Sequence, residues 1–503
     1  MVMAPQAGTE ESMSNRKNRM RSENVTSVTI TEEAGSVAGR SGLSPGDLAD
    51  LNVGEVANGG WCVARLGGTG PVVFVRHALP GERVRVRITE VTTRFARADA
   101  VEILAAAAGR VQPPCPYARP GACGGCDWQH ASLPVQRELK ASVVRQQLRR
   151  VAGIDWPVTV EALPGDEDRA GAPPAGAADG GNAGPPPGLA PPGEAAATPG
   201  LGWRTRVRFA VGGDGVAGLR AHRSHEVIKV TDCLIAHPGI RELGIPGRRW
   251  PRTASLEAVV ASGDGERAVI VGGPSRPGGA ARATLAQLTA ESVLVAGQRR
   301  SAGIVLRGHA HLRERAAGRS WRVTAGGFWQ VHPAAAGTLA GAVLDALQPQ
   351  PGDTAVDLYC GAGLFAGVLA DAVGPGGTVA GVEASTAAVR DARRNLRATP
   401  WASVYQGDAG ELIARGVLPP ARLTVLDPPR AGAARDVIDY LARPLPAGSG
   451  ERRVGYVSCD PATLARDIAL FAAHGWRLVA LRAFDAFPMT HHVECLATLV
   501  SSG

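Results

Sequence analysis

The sequence predicts an α/β protein. A doubly wound, Rossmann-like domain over residues 321–503 follows a small β-barrel and a central mixed α+β unit. Three observations predict this. In the C-terminal part, strand-like runs alternate with helix-like ones. Residues 49–104 break into short apolar runs separated by Gly/Pro pairs. Two low-complexity stretches, 1–48 and 164–200, interrupt the periodic segments. A length of 503 residues allows about three domains at roughly 150 residues each.

Residues 1–48 are polar and lack periodicity, so a disordered tail is expected there. The tail has no apolar run of the signal-peptide kind. In 49–104, Val84, Val86 and Ile88 alternate with Arg83, Arg85 and Arg87, a strand of period 2 with one basic face. Breaks at Gly67-Gly68, Gly70-Pro71 and Pro80-Gly81 suit a small barrel. Residues 105–320 form the expected central unit. It opens on a cysteine cluster, followed by a helix-like stretch in which Leu139, Val143, Leu148 and Val151 recur at helical spacing. The stretch 164–200 holds 9 Gly, 9 Pro and 10 Ala among 37 residues. It cannot build a core and is expected to be a flexible insert. Trp203–Val211 reads as a strand with Arg204, Arg206 and Arg208 on one face.

In 321–503 the strand candidates are Ala355–Tyr359, Val379–Glu383, Leu423–Asp427, Val454–Ser458 and Leu496–Val500, with a helix over Thr386–Arg397. The segment VDLYCGAGLF turns from strand to helix through Gly361 and Gly363, where backbone can approach a ligand at a helix N-terminus. About 20 residues on, Glu383 ends the next strand, where a carboxylate can accept from ribose hydroxyls. Nicotinamide dinucleotides and S-adenosylmethionine both fit this pattern. Position 366 is Ala, so the third glycine of a dinucleotide fingerprint is missing, which favours the methyl donor. Asp408 follows the next short run and would sit near an adenine.

Asp427-Pro428-Pro429-Arg430 closes another strand at the edge where open α/β sheets bind ligands. Cys459, in Ser458-Cys459-Asp460-Pro461, ends the strand after that, and Glu494 precedes the last strand. Methylating a pyrimidine at C5 gives such a pair specific tasks. A thiolate adding at C6 makes C5 nucleophilic, and a carboxylate then removes the C5 proton.

The cluster CPYARPGACGGCDWQH offers Cys115, Cys123 and Cys126, with His130 nearby. Eight cysteines in this length are no disulfide framework. Without an export signal, a reducing cytoplasmic setting and a metal site are expected. Zinc held by Cys115, Cys123, Cys126 and His130 and an iron–sulfur cluster with a distant fourth cysteine both satisfy the residues.

DLYCGAG, DPPR, SCDP and HVE, in this order, resemble the motifs of the RNA 5-methyluridine (uracil-C5) methyltransferases, enzymes that use S-adenosylmethionine. GGFWQVHP resembles the segment that precedes the donor loop in that family, and NGGWCVARLGGTGPVVFVRHALPGERVRVRI looks like its TRAM domain, an OB-like RNA-binding barrel. The resemblance implies Cys459 as nucleophile and Glu494 as base. It implies that Gln330, Tyr359, Gly361, Gly363, Glu383, Asp408 and Asp427 line the S-adenosylmethionine and uridine site. It implies a [4Fe–4S] cluster on Cys115, Cys123, Cys126 and Cys233, with a structural task. Two departures stand out: Leu364 follows the glycine loop where some members carry a polar residue, and SCDP replaces the commoner SCNP. Seven residues separate Cys115 from Cys123, two more than in the familiar pattern.

The implied partner is RNA, 23S rRNA first and the tRNA T-loop as the alternative. A monomer without DNA or membrane partners is expected. Base amino methylation, a non-catalytic RNA-binding protein of this architecture, and an iron–sulfur redox protein are the competing classes. The chain carries +8, and 51 of its 54 basic residues are Arg, which an RNA partner and a GC-rich genome explain equally well; the distribution of the charge favours RNA. The stretches 1–48 and 164–200 carry −1 and −4, so +13 falls on the other 418 residues.

Overall fold

The computed structural model describes residues 42–166, 199–273, 279–296, 303–445 and 450–501. Most of the expected tail and insert therefore lies outside the described residues. The ends of the expected insert do not. Asp166 is buried and its Oδ2 lies 2.8 Å from His332 Nε2. Gly200 sits at φ +77 against Leu133 and Met489. Polar, small residues at 164–166 and 199–200 misled the composition argument because their contacts come from distant segments.

The barrel consists of β1 (Leu48–Val56), β2 (Cys62–Arg65), β3 (Val72–Arg76), β4 (Arg83–Val91) and β5 (Phe95–Ala105). It closes in the order β1-β2-β3-β5-β4. Alternation in β4 sends Val84, Val86 and Ile88 into the core. Its arginines point outward, but not all are free: Arg85 bonds Asp50 (2.9 Å) and Glu102 (2.9 Å). The basic face is thus partly neutralised within the barrel.

The helix Leu133–Gln147 and the π-turn Leu148–Ala152 come next, then a short strand β6 (Val160–Glu161). These belong elsewhere than the sequence placed them. Val144 and Leu148 enter a core beneath the C-terminal sheet, and β6 joins the edge of that sheet. The seven-stranded central sheet contains β7 (Arg206–Val211), β8 (Ala217–Arg220), β9 (Val227–Lys229), β10 (Ser255–Val260), β11 (Arg267–Gly272), β12 (Ser292–Val295) and β13 (Ile304–Arg307). Its order is β13-β12-β11-β10-β7-β8-β9. The hairpin of β14 (His311–Ala316) and β15 (Arg319–Thr324) packs on the C-terminal domain. Trp321, wholly buried, lies against Gly367, where a Cβ would come within 2.4 Å of the ring. The catalytic unit therefore draws on residues before 321, because apolar side chains on the helix and hairpin are complementary to its two faces.

The C-terminal sheet adds β16 (Thr354–Leu358), β17 (Thr378–Glu383), β18 (Ala402–Gln406), β19 (Leu423–Leu426), β20 (Arg452–Ser458), β21 (Arg477–Phe484) and β22 (Glu494–Ser501). The order is β18-β17-β16-β19-β20-β22-β21-β6. The first five strands are parallel, and β22 inserts antiparallel between β20 and β21. The chain reverses direction across the sheet at β16, which makes the switch-point crevice where such sheets bind ligands. Among the described residues no helix is long and apolar enough to cross a membrane.

Candidate active site

The site follows from register. Leu358 of β16 pairs Leu426 of β19, and Leu426 pairs Tyr456 of β20. Tyr359, Asp427 and Cys459 therefore leave three neighbouring strands at one edge. Ser458 pairs Cys495 of β22, so Glu494 enters the sheet beside Cys459 from the opposite direction. Side chains 35 positions apart in sequence meet because β22 runs antiparallel.

Tyr359 opens the turn with a left-handed backbone (φ 70), a strained conformation for a non-glycine residue. Gly361 (φ 54) and Gly363 (φ 92) continue it into the helix Leu364–Val373. At Gly361 a Cβ would meet nothing within 4 Å, so open space lies over this backbone. Glu383 Oε2 accepts from Gly361 N (3.0 Å) and its Oε1 from Ser385 N (2.6 Å), tying β17 to the turn. Asp408 caps the helix Ala409–Ala414 through Oδ1, which accepts from Gly410 N (2.9 Å) and Glu411 N (3.3 Å). Gln330 is buried in the segment after β15; among the described residues no hydrogen bond joins its amide to the turn, Glu383 or Asp427.

Sequence reasoning passed over Asp357, although it heads the DLYCGAG motif. Its Oδ2 accepts from Ala366 N (2.7 Å), holding the helix start, while Oδ1 is buried with no partner. Burial pushes this carboxyl up to about 8. An unpaired buried acceptor, open space over Gly361 and the carboxylate of Glu383 together fit a polar, cationic nucleoside such as S-adenosylmethionine. Leu364 packs its side chain into the core. Asp460 accepts from Ala462 N (3.0 Å) and Thr463 N (2.9 Å) through Oδ1. That is a helix cap, a task its carboxylate shares with the Asn of SCNP.

The Asp-Pro-Pro-Arg turn is anchored from below. Ala433 N donates to Asp467 Oδ2 (2.9 Å) and Tyr456 OH (3.0 Å), and Tyr456 OH donates to the same carboxylate (2.6 Å). This sets Asp427 and Arg430 against the two reactive candidates. Burial pushes Asp427 up to about 7. Burial first, and the charge of Asp427 second, holds Glu494 well above the usual carboxylate range. Burial first, and then Glu494, pushes the Cys459 thiol up to about 11, while Arg430 bonds to the sulfur and favours the thiolate.

A thiol at about 11 is almost wholly protonated at neutral pH, and only the thiolate reacts. Alkylation of Cys459 by iodoacetamide should therefore accelerate about tenfold per pH unit between roughly pH 7 and 10. Replacing Arg430 by Ala should slow it further over that range. Peptide mass spectrometry reads both rates, and a flat profile from pH 7 upward would contradict the assignment.

The second cluster of chemistry lies away from this edge. Cys115, Cys123, Cys126 and Cys233 line one cavity of about 370 Å³. Burial is the leading cause that raises each thiol, and the neighbouring thiols add to it at Cys115, Cys126 and Cys233. His130 is absent from it, because its ring lies in the barrel side of the interface, with Nε2 3.4 Å from Ala78 O. Among the described residues no three His, Cys, Asp or Glu side chains are grouped so as to hold a metal ion. The two halves of the cysteine set are tied even so. Tyr117 OH lies 3.1 Å from Thr231 Oγ1 and accepts from Thr231 N (3.0 Å).

Comparison with known proteins bears on these sites. The TRAM domain family matches residues 45–101. The tRNA (Uracil-5-)-methyltransferase family matches residues 421–501, which hold Asp427, Cys459 and Glu494. The protein-L-isoaspartate(D-aspartate) O-methyltransferase family matches residues 329–410, the glycine-loop half of the domain. An "Uncharacterized RNA methyltransferase" of Streptomyces avermitilis is 47% identical, covering 90% of this chain and 98% of the relative. A 23S rRNA (uracil(1939)-C(5))-methyltransferase of Shewanella sp. (strain W3-18-1) is 30% identical over 89% of this chain and 94% of its own length. The crystal structure of Pyrococcus abyssi tRNA (uracil-54, C5)-methyltransferase with S-adenosyl-L-homocysteine shares the fold. Its TM-score is 0.62 at 21% identity, covering 89% of this chain and 99% of that one.

Proposed function

The chain belongs to the RNA uracil-C5 methyltransferase family, and from that premise we propose that it methylates uridine C5 in RNA, with 23S rRNA as the substrate. The observation that carries this reading is the meeting of Cys459 and Glu494 across β20 and β22, beside the glycine turn. No thiol is needed to methylate a base amino group, so this pairing disfavours that alternative.

The turn at Gly361 and Gly363, with Glu383, Asp427, Tyr359, Gln330 and Asp408, would hold S-adenosylmethionine, which would supply an electrophilic methyl group. Every other step falls to the protein. The target uridine leaves its stack, since C6 is inaccessible in a helix. Arg430 offsets the cost of ionising Cys459, whose sulfur attacks C6 and makes C5 nucleophilic. After methyl transfer to C5, Glu494 accepts the C5 proton, the C5=C6 bond re-forms, and Cys459 leaves as thiolate. A raised pKa makes ionised Glu494 a strong base for this carbon acid. Exposed arginines such as Arg83, Arg87 and Arg208 are suited to phosphates along the bound strand.

The four cysteines suit a [4Fe–4S] cluster better than zinc. All four are among the residues that line one cavity, whereas zinc demands a tight tetrahedral shell at about 2.3 Å, and among the described residues no three such side chains are grouped that closely. Such a cluster would supply a cross-link between residues 115–126 and 233. Iron and acid-labile sulfide in anaerobically purified protein test this, and the absence of both overturns it.

For the activity, purified protein and S-adenosylmethionine are incubated with 23S rRNA and with tRNA lacking 5-methyluridine. Methyl incorporation at a single uridine of 23S rRNA is expected. Incorporation into the tRNA alone moves the substrate to the T-loop, and incorporation into neither removes the reading.

A further inference from the structure

The segment Asp485–Val493 carries the chain from β21 to Glu494. Asp485 N donates to Glu161 O (2.8 Å) and Phe487 meets Trp203 edge-on, and among the described residues its other hydrogen bonds to distant segments come from residues 127–140. Lys140, wholly buried on the helix Leu133–Gln147, pairs with Asp485 and donates to Phe487 O (3.0 Å). Gln136 Oε1 accepts from Met489 N (2.7 Å). Asp127 N (3.0 Å) and Trp128 N (3.1 Å) both donate to Met489 O. Met489 thus has its peptide groups fixed on both sides while holding a left-handed backbone at φ 68. Two residues on, Asp127 Oδ2 accepts from His491 N (3.2 Å) and lies 2.7 Å from His491 Nδ1. The rings of His491 and His492 contact each other, with centroids 4.1 Å apart, and Glu494 follows His492 by two residues.

This bracing has a direction. The strand beyond Glu494 is fixed by its ladder to β20, but in the approach to Glu494 the residues from Phe487 to His491 make their long-range hydrogen bonds to residues 127–140, outside the catalytic sheet. Asp127 adjoins Cys126, so the same peptide that lines the cysteine cavity also fixes the approach to the base. We infer that Asp127 is a positioning residue for the uracil methylation reaction, setting Glu494 through His491. This rests on the function proposed above. Its effect falls on one half-reaction. Cys459 and the donor turn sit on β20 and β16, which Asp127 does not touch, so bond formation between sulfur and C6 and methyl transfer to C5 proceed without it. Removing the C5 proton to the Glu494 carboxylate, with return of the C6–S electron pair to sulfur, needs Glu494 in place.

The test separates these halves in the full-length protein with RNA carrying 5-tritiated uridine. In Asp127→Ala, methyl incorporation in the first turnover should stay within about twofold of the unsubstituted protein. Tritium release and breakdown of the covalent protein–RNA adduct should slow roughly tenfold or more, as for a catalytic group displaced by a fraction of an ångström. Asp127→Asn keeps an acceptor oxygen and should recover most of the release rate. His491→Phe removes the Nδ1 contact from the other end, leaving the His491 N–H on Asp127 Oδ2, without touching the cysteine segment. It should reproduce the defect and decides the matter if Asp127→Ala does not fold. Combining both substitutions should be no slower than the slower single variant. Equal slowing of methyl incorporation and tritium release, or no slowing of either, overturns the inference. Unsubstituted protein that forms no adduct and transfers no methyl overturns the underlying function instead.

Discussion

Replacing Cys459 by alanine is expected to lower methyl transfer to RNA by about four orders of magnitude or more, the loss seen when a covalent route is closed. RNA and S-adenosylmethionine binding should survive. Cys459 is only half-buried at a strand end, so the missing sulfur leaves no core cavity, and the cap of the following helix comes from Asp460 rather than from Cys459. Methyl incorporation and RNA retention on a filter, measured on the same preparation, give the two readouts. The remaining chemistry has no nucleophile of comparable strength. Cys495 is the nearest other thiol in register, but it is wholly buried on the strand, and burial holds it protonated. A variant that keeps its rate would mean that C5 is not activated by addition at C6. Direct methylation of a base amino group, which the Asp-Pro-Pro turn also suits, would then replace the present reading.

Much of this site was legible because each motif ends a strand. Asp427, Cys459 and Glu383 close runs of apolar residues, and apolar runs of that length are strands whose C-terminal ends line the crevice. What the sequence concealed was register and direction. Nothing local to Glu494 says that its strand runs antiparallel beside β20, yet that reversal brings it to Cys459. The helix 133–147 and the hairpin 311–324 were assigned to the central unit by position in the chain. Their apolar faces fit either neighbour, and only packing chooses. Asp357 was missed although it heads DLYCGAG, because an acid at a strand's penultimate position reads as ordinary until its buried, unpaired oxygen is seen. Lys140 had a visible signal. In a chain with 51 arginines among 54 basic residues, a lysine in the middle of a helix stands out, and this one is buried against Asp485. The Asp127–His491 contact spans 364 positions and had no signal in the sequence.

The charge pattern of the site ties these pieces into one argument about protons. Cys459, Glu494 and Asp427 are all held toward the neutral form by burial, and Arg430 is the neighbour that favours ionisation of Cys459 and Glu494. A closed group held toward the neutral form is stable at rest, since charge buried without a partner is costly. It also makes the reaction dependent on the order of ionisation. The thiolate must form before attack, and the carboxylate must be ionised before proton removal. Both requirements are eased by raising pH, so turnover should climb through the neutral range instead of peaking below it.

Glu494→Gln is the second substitution with a large expected effect, and it should trap the reaction midway. Glutamine matches glutamate in shape, and it matches the uncharged state that burial imposes on Glu494, so little change in stability is expected. Attack by Cys459 should not suffer. After burial, the charge of Glu494 is the next cause that raises the Cys459 thiol, and glutamine, which never carries that charge, adds no barrier to the thiolate. Proton removal from C5 loses its base and should slow by roughly 10²- to 10⁴-fold, the range for general-base catalysis. Slower decay with undiminished formation enlarges the population of methylated RNA covalently joined to Cys459. A denaturing gel with labelled RNA should show this adduct as a slow-migrating band that contains the donor's methyl label and disappears when Cys459→Ala is added to the same chain. An active Glu494→Gln protein with no adduct would transfer the base's role to another group at this edge. Asp427, pushed up only to about 7, is the carboxylate placed to take it. A protein that forms an adduct lacking methyl would show instead that Glu494 acts before the transfer, by orienting the uracil ring.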